Sequence, residues 1–191
     1  MKHIVKEYYN LLFALAFVVL IVVVFKFFLM MNYVPSSSME PTIVENSLLL
    51  SVRGSYHETE PKRGDIIVFK YPLNEKVLQV KRIIGLPGEH VSIVNGKIYV
   101  NGNTQPINEE YIVQKWNKHN NGFEYNIPKD CYLVMGDNRN SSVDARDWSR
   151  MSLEEHIADT VTEAESYSYV KRNNIVAKVE LCLYPKIKNT K

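Results

Sequence analysis

VLQVKRIIG (77–85), with DIIVFKY (65–71) shortly before it, is the stretch on which the fold turns. Both segments are dense in β-branched and aromatic residues, are shorter than an ordinary helix and are bounded by turn formers, which predicts strands. Working outward, SLLLSV (47–52) and CYLVMG (131–136) have the same character. In HVSIVNGKIYVNG (90–102) the pairs Asn95-Gly96 and Asn101-Gly102 flank KIYV, predicting a hairpin with type I′ turn chemistry and a second turn after it. The chain is therefore expected to be mainly β, an antiparallel β-sheet core of about 32–89 and 129–191. A small inserted cap region is expected at about 90–128, since KWNKHNNG (115–122) is polar. Besides the N-terminal block, one stretch reads as helical, MSLEEHIADTVTEA (151–164), with Ser152 or an earlier residue as its cap.

That N-terminal block is LLFALAFVVLIVVVFKFFLMM (11–31), interrupted by Lys26 alone. At ~1.5 Å per residue it spans roughly 31 Å, the thickness of a bilayer's hydrocarbon core. Lys26 is close enough to the end for its ammonium to reach the headgroup layer. A cleaved secretory signal is the rival reading, but its apolar region is usually ~7–15 residues and is followed by a small-x-small site. MNYVPSSS offers no such site, so an uncleaved single-pass transmembrane helix in a cell membrane is expected. Lys2 and Lys6 place residues 1–10 in the cytoplasm and residues 32–191 outside it.

The net charge is +2, from 23 basic and 21 acidic residues spread along the chain, without the basic stripe of a nucleic-acid binder. Three lysines in 186–191 form a solvated tail or a contact with anionic lipid. Cys131 and Cys182 lack the close spacing of a zinc or redox site, so no metal is expected. They read as small buried apolar residues; a disulfide is chemically permitted outside the cytoplasm, and spacing does not decide it.

Immediately beyond the apolar block lies VPSSSMEPT (34–42), its backbone held extended by Pro35 and Pro41. A serine hydroxyl is a weak nucleophile without a neighbouring base. None of the five histidines (His3, His57, His90, His119, His156) stands in a triad motif. Lys81 is the better base, because strand alternation aims it opposite to Val80 and Arg82. Buried without a carboxylate, a lysine loses hydration of its charged form and becomes a proton acceptor near neutral pH. An exposed lysine on an edge strand fits the same spacing equally well.

SMEPT (38–42), RGDIIVF (63–69), KRIIGLPGE (81–89) and GDNRNSSVDAR (136–146) resemble, in order and in character, the four boxes of the type I signal peptidases. The resemblance implies a membrane-bound serine endopeptidase that removes signal peptides from exported preproteins, cleaving after small residues at −1 and −3. It implies Ser38 as nucleophile and Lys81 as general base in a Ser-Lys dyad, Ser36 as an oxyanion donor and Ser142 as the hydroxyl orienting the lysine. The substrate would lie extended against residues 34–38 and 78–81, touching Val34, Pro35, Met39, Gln79 and Val80. Arg82 with Asp137, and Asp144 with Arg146, would support the site through ion pairs. No cofactor is implied, and the partners are preproteins and the lipid bilayer, not nucleic acid.

Two features depart from that pattern. The last box commonly reads Asp-Ser-Arg followed by glycine, whereas here it reads Asp144-Ala145-Arg146 and then Asp147-Trp148-Ser149. A later Gly-Lys pair is absent near Ala158-Asp159-Thr160. These departures leave room for a peptidase restricted to a narrow client set such as pilins. A non-catalytic assembly factor of the same fold is the alternative from another class, and retention of Ser38 and Lys81 argues against it. A self-cleaving repressor would need a DNA-binding domain where the apolar block stands.

Overall fold

The structure is a computed structural model that describes residues 2–184. The lysine-bearing tail 186–191, read above as a possible lipid contact, lies outside the described residues.

Helix α1 runs Lys2–Phe27, and within it Lys6–Phe27 is long and apolar enough to cross a membrane, with none of that span buried. The helix stops four residues short of the end of the apolar block. Leu29, Met30 and Met31 instead open strand β1 (Leu29–Val34), opposite Val52, Ser51 and Leu50 of β2 (Ser47–Arg53). Arg53 N–H donates to Phe28 O (2.8 Å), so the backbone passes from helical to cross-strand hydrogen bonds with a break of one residue. The helix expected to reach Met31 thus ends at Phe27, because pairing with β2 takes over the peptide hydrogen bonds of Leu29–Met31 from the helix.

The remaining strands are β3 (Ile66–Tyr71), β4 (Asn74–Gly85), β5 (His90–Val94), β6 (Lys97–Val100), β7 (Phe123–Asn126), β8 (Cys131–Met135), β9 (Val170–Lys171) and β10 (Ile175–Tyr184). Seven of the ten strands among the described residues make one antiparallel sheet in the order β1-β2-β10-β3-β4-β8-β9, so the molecule is mainly β as the alternating segments predict. Between β4 and β8 the chain forms a second sheet, β6-β5-β7. Asn95 (φ 50°) and Gly96 (φ 74°) close the β5–β6 hairpin with two left-handed residues, the type I′ geometry.

The small sheet is not an independent unit. Val91, Ile93, Ile98 and Tyr125 share one buried cluster with Ile83, Leu133 and Trp148 of the main body. Gly85 allows that closure, since a β-carbon there would stand 2.3 Å from Ile127 Cδ1. A second cluster of Val34, Met39, Ile43 and Leu49 lies beneath the segment after β1.

The helical expectation for 151–164 needs correction. Helix α2 spans Ala145–Glu154 and α3 spans Val161–Ser166. Asp144, not Ser152, caps α2 in a capping box with Asp147, and His156, at φ 56°, breaks the helix behind it. Thr160 caps α3 by accepting from Glu163 N–H. Cys131 lies on β8 and Cys182 on β10, with β3 and β4 between them in the sheet. Three interstrand steps put them roughly 14 Å apart. A disulfide needs about 7 Å or less between Cα atoms.

Candidate active site

Strand β1 delivers the chain to a single 3₁₀ turn, Ser37–Met39, whose extended N-cap residue is Ser36 (φ −133°, ψ 153°). The first N–H groups of a helical turn have no partner inside it, so the Ser38 N–H is of the kind available to an incoming oxygen. Ser36 Oγ stands 3.3 Å from Ser38 Oγ. The turn buries Met39 completely, in the cluster with Val34, Ile43 and Leu49. Met39 therefore supports the serine from below and does not line the cleft, contrary to the expectation of a substrate contact, because the third residue of the turn points inward.

Lys81 comes from the middle of β4, where it faces Ile67 of β3 across the ladder. Its neighbours Val80 and Arg82 are half-buried on the opposite face, while Lys81 is 5% exposed. Its Nζ lies 2.7 Å from Ser38 Oγ, although 43 residues separate the two in sequence. Among the described residues Lys81 enters no ion pair. Burial disfavours the ammonium and brings the lysine down to about 8; Asp144 and Asp137 oppose that shift, and Arg146 adds to it.

Two buried ion pairs flank the dyad. Arg82 Nε and Nη2 bind Asp137 Oδ1 and Oδ2 at 2.8 and 2.6 Å, and Thr42 Oγ1 donates to the same carboxylate. Arg146 Nε and Nη2 bind Asp144 Oδ1 and Oδ2 at 2.8 and 2.9 Å. Burial alone would raise the Asp144 carboxyl, but the Arg146 fork and the Gly136 N–H (2.9 Å) hold it below the ordinary carboxylate range.

Ser142 is buried beside the dyad, yet its hydroxyl makes no hydrogen bond in this structure, so the expected contact with the Lys81 amine is not formed. Sequence reasoning also missed the residues that hold the serine turn. Asn138 N–H donates to Ser38 O (3.1 Å) and Asn138 Nδ2 to Ser37 O (3.1 Å). Gly136 sits against Ser38 O, and Thr42 ties the turn to Asp137. The signal was available, since Asn138 and Gly136 belong to GDNR and Thr42 to SMEPT.

A cleft of about 330 Å³ opens over Ser38 and Lys81. Val34, Pro35, Ser36, Gln79 and Val80 line it, and Tyr33, Leu78, Ser141 and Val143 join them. The Gln79 Oε1 is buried with no hydrogen-bond partner. Neither Ala145 nor Ser149, the departures noted above, reaches this cleft. Among the described residues, no three His, Cys, Asp or Glu side chains cluster as metal ligands.

A desolvated amine against a hydroxyl in a strand-walled cleft is an arrangement that can activate a nucleophile. Residues 5–184 match the family described as signal peptidase, peptidase S26. The chain is 37% identical to Signal peptidase I of Leptolyngbya laminosa, over 81% of this chain and 68% of that protein. It is 42% identical to Probable signal peptidase I-2 of Synechocystis sp., over 61% of this chain and only 54% of that protein. It is 32% identical to Signal peptidase I of Bacillus caldolyticus, over 87% of this chain and 86% of that protein. With a match across nearly its whole length and relatives of this kind, the chain belongs to the signal peptidase family, peptidase S26.

Proposed function

We propose that this serine peptidase, which removes signal peptides as its family does, works through Ser38 as nucleophile and Lys81 as general base. The observation that carries the reading is the 2.7 Å separation of Ser38 Oγ and Lys81 Nζ, with the lysine buried and without a carboxylate partner. Neutral Lys81 takes the hydroxyl proton as Ser38 attacks the scissile carbonyl. The Ser38 N–H and the Ser36 hydroxyl stabilise the oxyanion, a contribution typically worth ~10²–10³ in rate per donor. Protonated Lys81 then protonates the leaving amine, and in the second half it activates the water that resolves the acyl-enzyme.

The substrate is an exported preprotein bound in extended form. Among the described residues β1 is an edge strand, and β8 covers β4 only from Arg82 to Gly85, leaving residues 77–81 of β4 without a partner on that side. Two open strand edges at one cleft suit strand addition by a peptide. A shallow cleft walled by Val34 and Val80 suits small residues at −1 and −3. Helix α1 anchors the enzyme in the cell membrane, N-terminus cytoplasmic, with residues beyond the helix extracytoplasmic, where a preprotein presents its cleavage region.

Ser38→Ala and Lys81→Ala are each expected to abolish preprotein cleavage in detergent while leaving the thermal transition intact. For the wild type, log kcat/KM is expected to rise with unit slope and level off near pH 8, as Lys81 loses its proton. Substantial cleavage by either folded variant would overturn the reading.

A further inference from the structure

Residues 107–120 contain no regular structure, yet both ends are fastened to the small sheet: Ile107 N–H donates to Ile98 O (2.9 Å), and Gly96 N–H to Asn120 O (2.7 Å). Between those ties the segment lies across the 136–147 box and meets three arginines, Arg82, Arg139 and Arg146, whose side chains are 11%, 1% and 1% exposed.

Arg82 and Arg146 have counterions within the 136–146 box, Asp137 and Asp144, but Arg139 does not. Its partner is Glu109 of the strap, which holds both terminal nitrogens, Nη2 closely and Nη1 at 3.3 Å. The guanidinium faces are covered from the strap too. Tyr111 lies with its ring 4.0 Å from Arg82 Cζ, and Trp116 serves two arginines, 4.8 Å from Arg139 Cζ and 5.3 Å from Arg146 Cζ. Asn140 locks the register, accepting from Asn117 N–H (2.9 Å) and Lys118 N–H (3.1 Å) and donating to Lys115 O (3.0 Å).

These contacts lead to the reacting atoms by a short route. Arg139 Nε donates to Gly136 O (3.0 Å), while Gly136 N–H donates to Asp144 Oδ2 (2.9 Å), so the two arginine systems grip one glycine from both sides. That glycine is the surface against which Ser38 O and Ser142 Oγ pack. We infer that the strap 107–120 sets the geometry of the dyad, with Glu109 and Trp116 as positioning residues acting on Ser38 and Lys81 through Arg139, Arg146 and the Gly136 peptide. No strap residue lines the cleft, so the effect falls on the chemical step and not on substrate binding.

This inference rests on the Ser38–Lys81 reading, and the test keeps the two apart. Trp116→Ala, Trp116→Phe and Glu109→Gln are made in the full chain, and kcat and KM for a preprotein are measured from pH 6 to 10 in detergent. Trp116→Ala is expected to lower kcat tenfold or more with KM changed less than twofold. The charges facing Lys81 are Asp144, Arg146 and Asp137. Once Arg146 is released toward solvent, its depressing influence on Lys81 weakens while the raising influence of Asp144 persists, so the acid limb moves to higher pH. Trp116→Phe, which keeps an aromatic face, is expected to recover most of kcat and the wild-type limb. Glu109→Gln, nearly isosteric, is expected to lower kcat without raising KM, and it decides the matter if Trp116→Ala does not fold.

A rise in KM at constant kcat, a uniform loss without displacement of the limb, or a fully active Glu109→Gln would each overturn the strap's role and leave the dyad standing. Cleavage by Lys81→Ala would instead overturn the dyad, whatever the strap variants do.

Discussion

A β-carbon on Gly136 would stand 2.3 Å from Ser142 Oγ and 2.4 Å from Ser38 O. The second of these neighbours is backbone and cannot rotate away, so the nucleophile's turn would have to shift. Gly136→Ala is therefore expected to cost about 1–3 kcal/mol of stability, the usual range for overpacking, and to lower kcat by ~10² or more. A denaturant melt and a turnover assay on the same preparation check both; wild-type turnover in the variant would show that the turn has slack. Residue-scale control also accounts for the environment of Lys81, the base in the proposed mechanism. Position 81 faces inward by strand alternation, and the carboxylates nearest to it are already engaged by Arg82 and Arg146.

At the scale of elements, Asp144 does two things at once. It caps α2, and it neutralises an arginine that is otherwise buried. Asp144→Asn is expected to destabilise the fold by about 3–5 kcal/mol, because a buried guanidinium loses its counterion. Asp144 also raises Lys81 toward its ordinary value, so its neutralisation should move the acid limb of kcat/KM to lower pH. This direction is opposite to that expected for Trp116→Ala, and the pH profile separates the two variants. Asp144 itself is held below its ordinary value, so its contribution to stability is complete above about pH 4 and fades as pH falls through the lower native value. The sequence around Asp144 departs from the family pattern, yet its residues from 145 on build α2 and none of them lines the cleft. The cleft is lined instead by residues outside α2, Val143 among them.

At the scale of the whole molecule, α1 stands apart from the sheet it leads into. No residue of its apolar span is buried, whereas β1 immediately after it is paired along its full length. A chain beginning at Phe28 is expected to keep the cooperative melting transition of the full chain and to cleave preproteins in detergent, while losing partition into membranes. Loss of the transition would show that the helix supports the sheet. The small sheet gives the opposite expectation, because it shares its apolar core with the main body and supplies the strap.

The local information in the sequence was enough for strands β2 to β6 and β8, the Asn95-Gly96 turn and the apolar span, since alternation, turn chemistry and length act over a few residues; it did not show β7, β9 or β10. It also made Ser38 and Lys81 eligible, and the four ordered boxes made them a pair. It did not place the end of α1, because Leu29–Met31 are as apolar as lipid-facing residues and only pairing with β2 assigns them to a strand. It did not single out Asp144 as the cap of α2 or Thr160 as the cap of α3, because the helical period of MSLEEHIADTVTEA runs through the break at His156. The closing of 43 residues between Ser38 and Lys81 to 2.7 Å, the inward turn of Met39 and the folding of Trp116 onto Arg139 and Arg146 belong to the tertiary structure alone. Each depends on a partner distant in sequence, and burial and electrostatic pairing at such distances follow no local period.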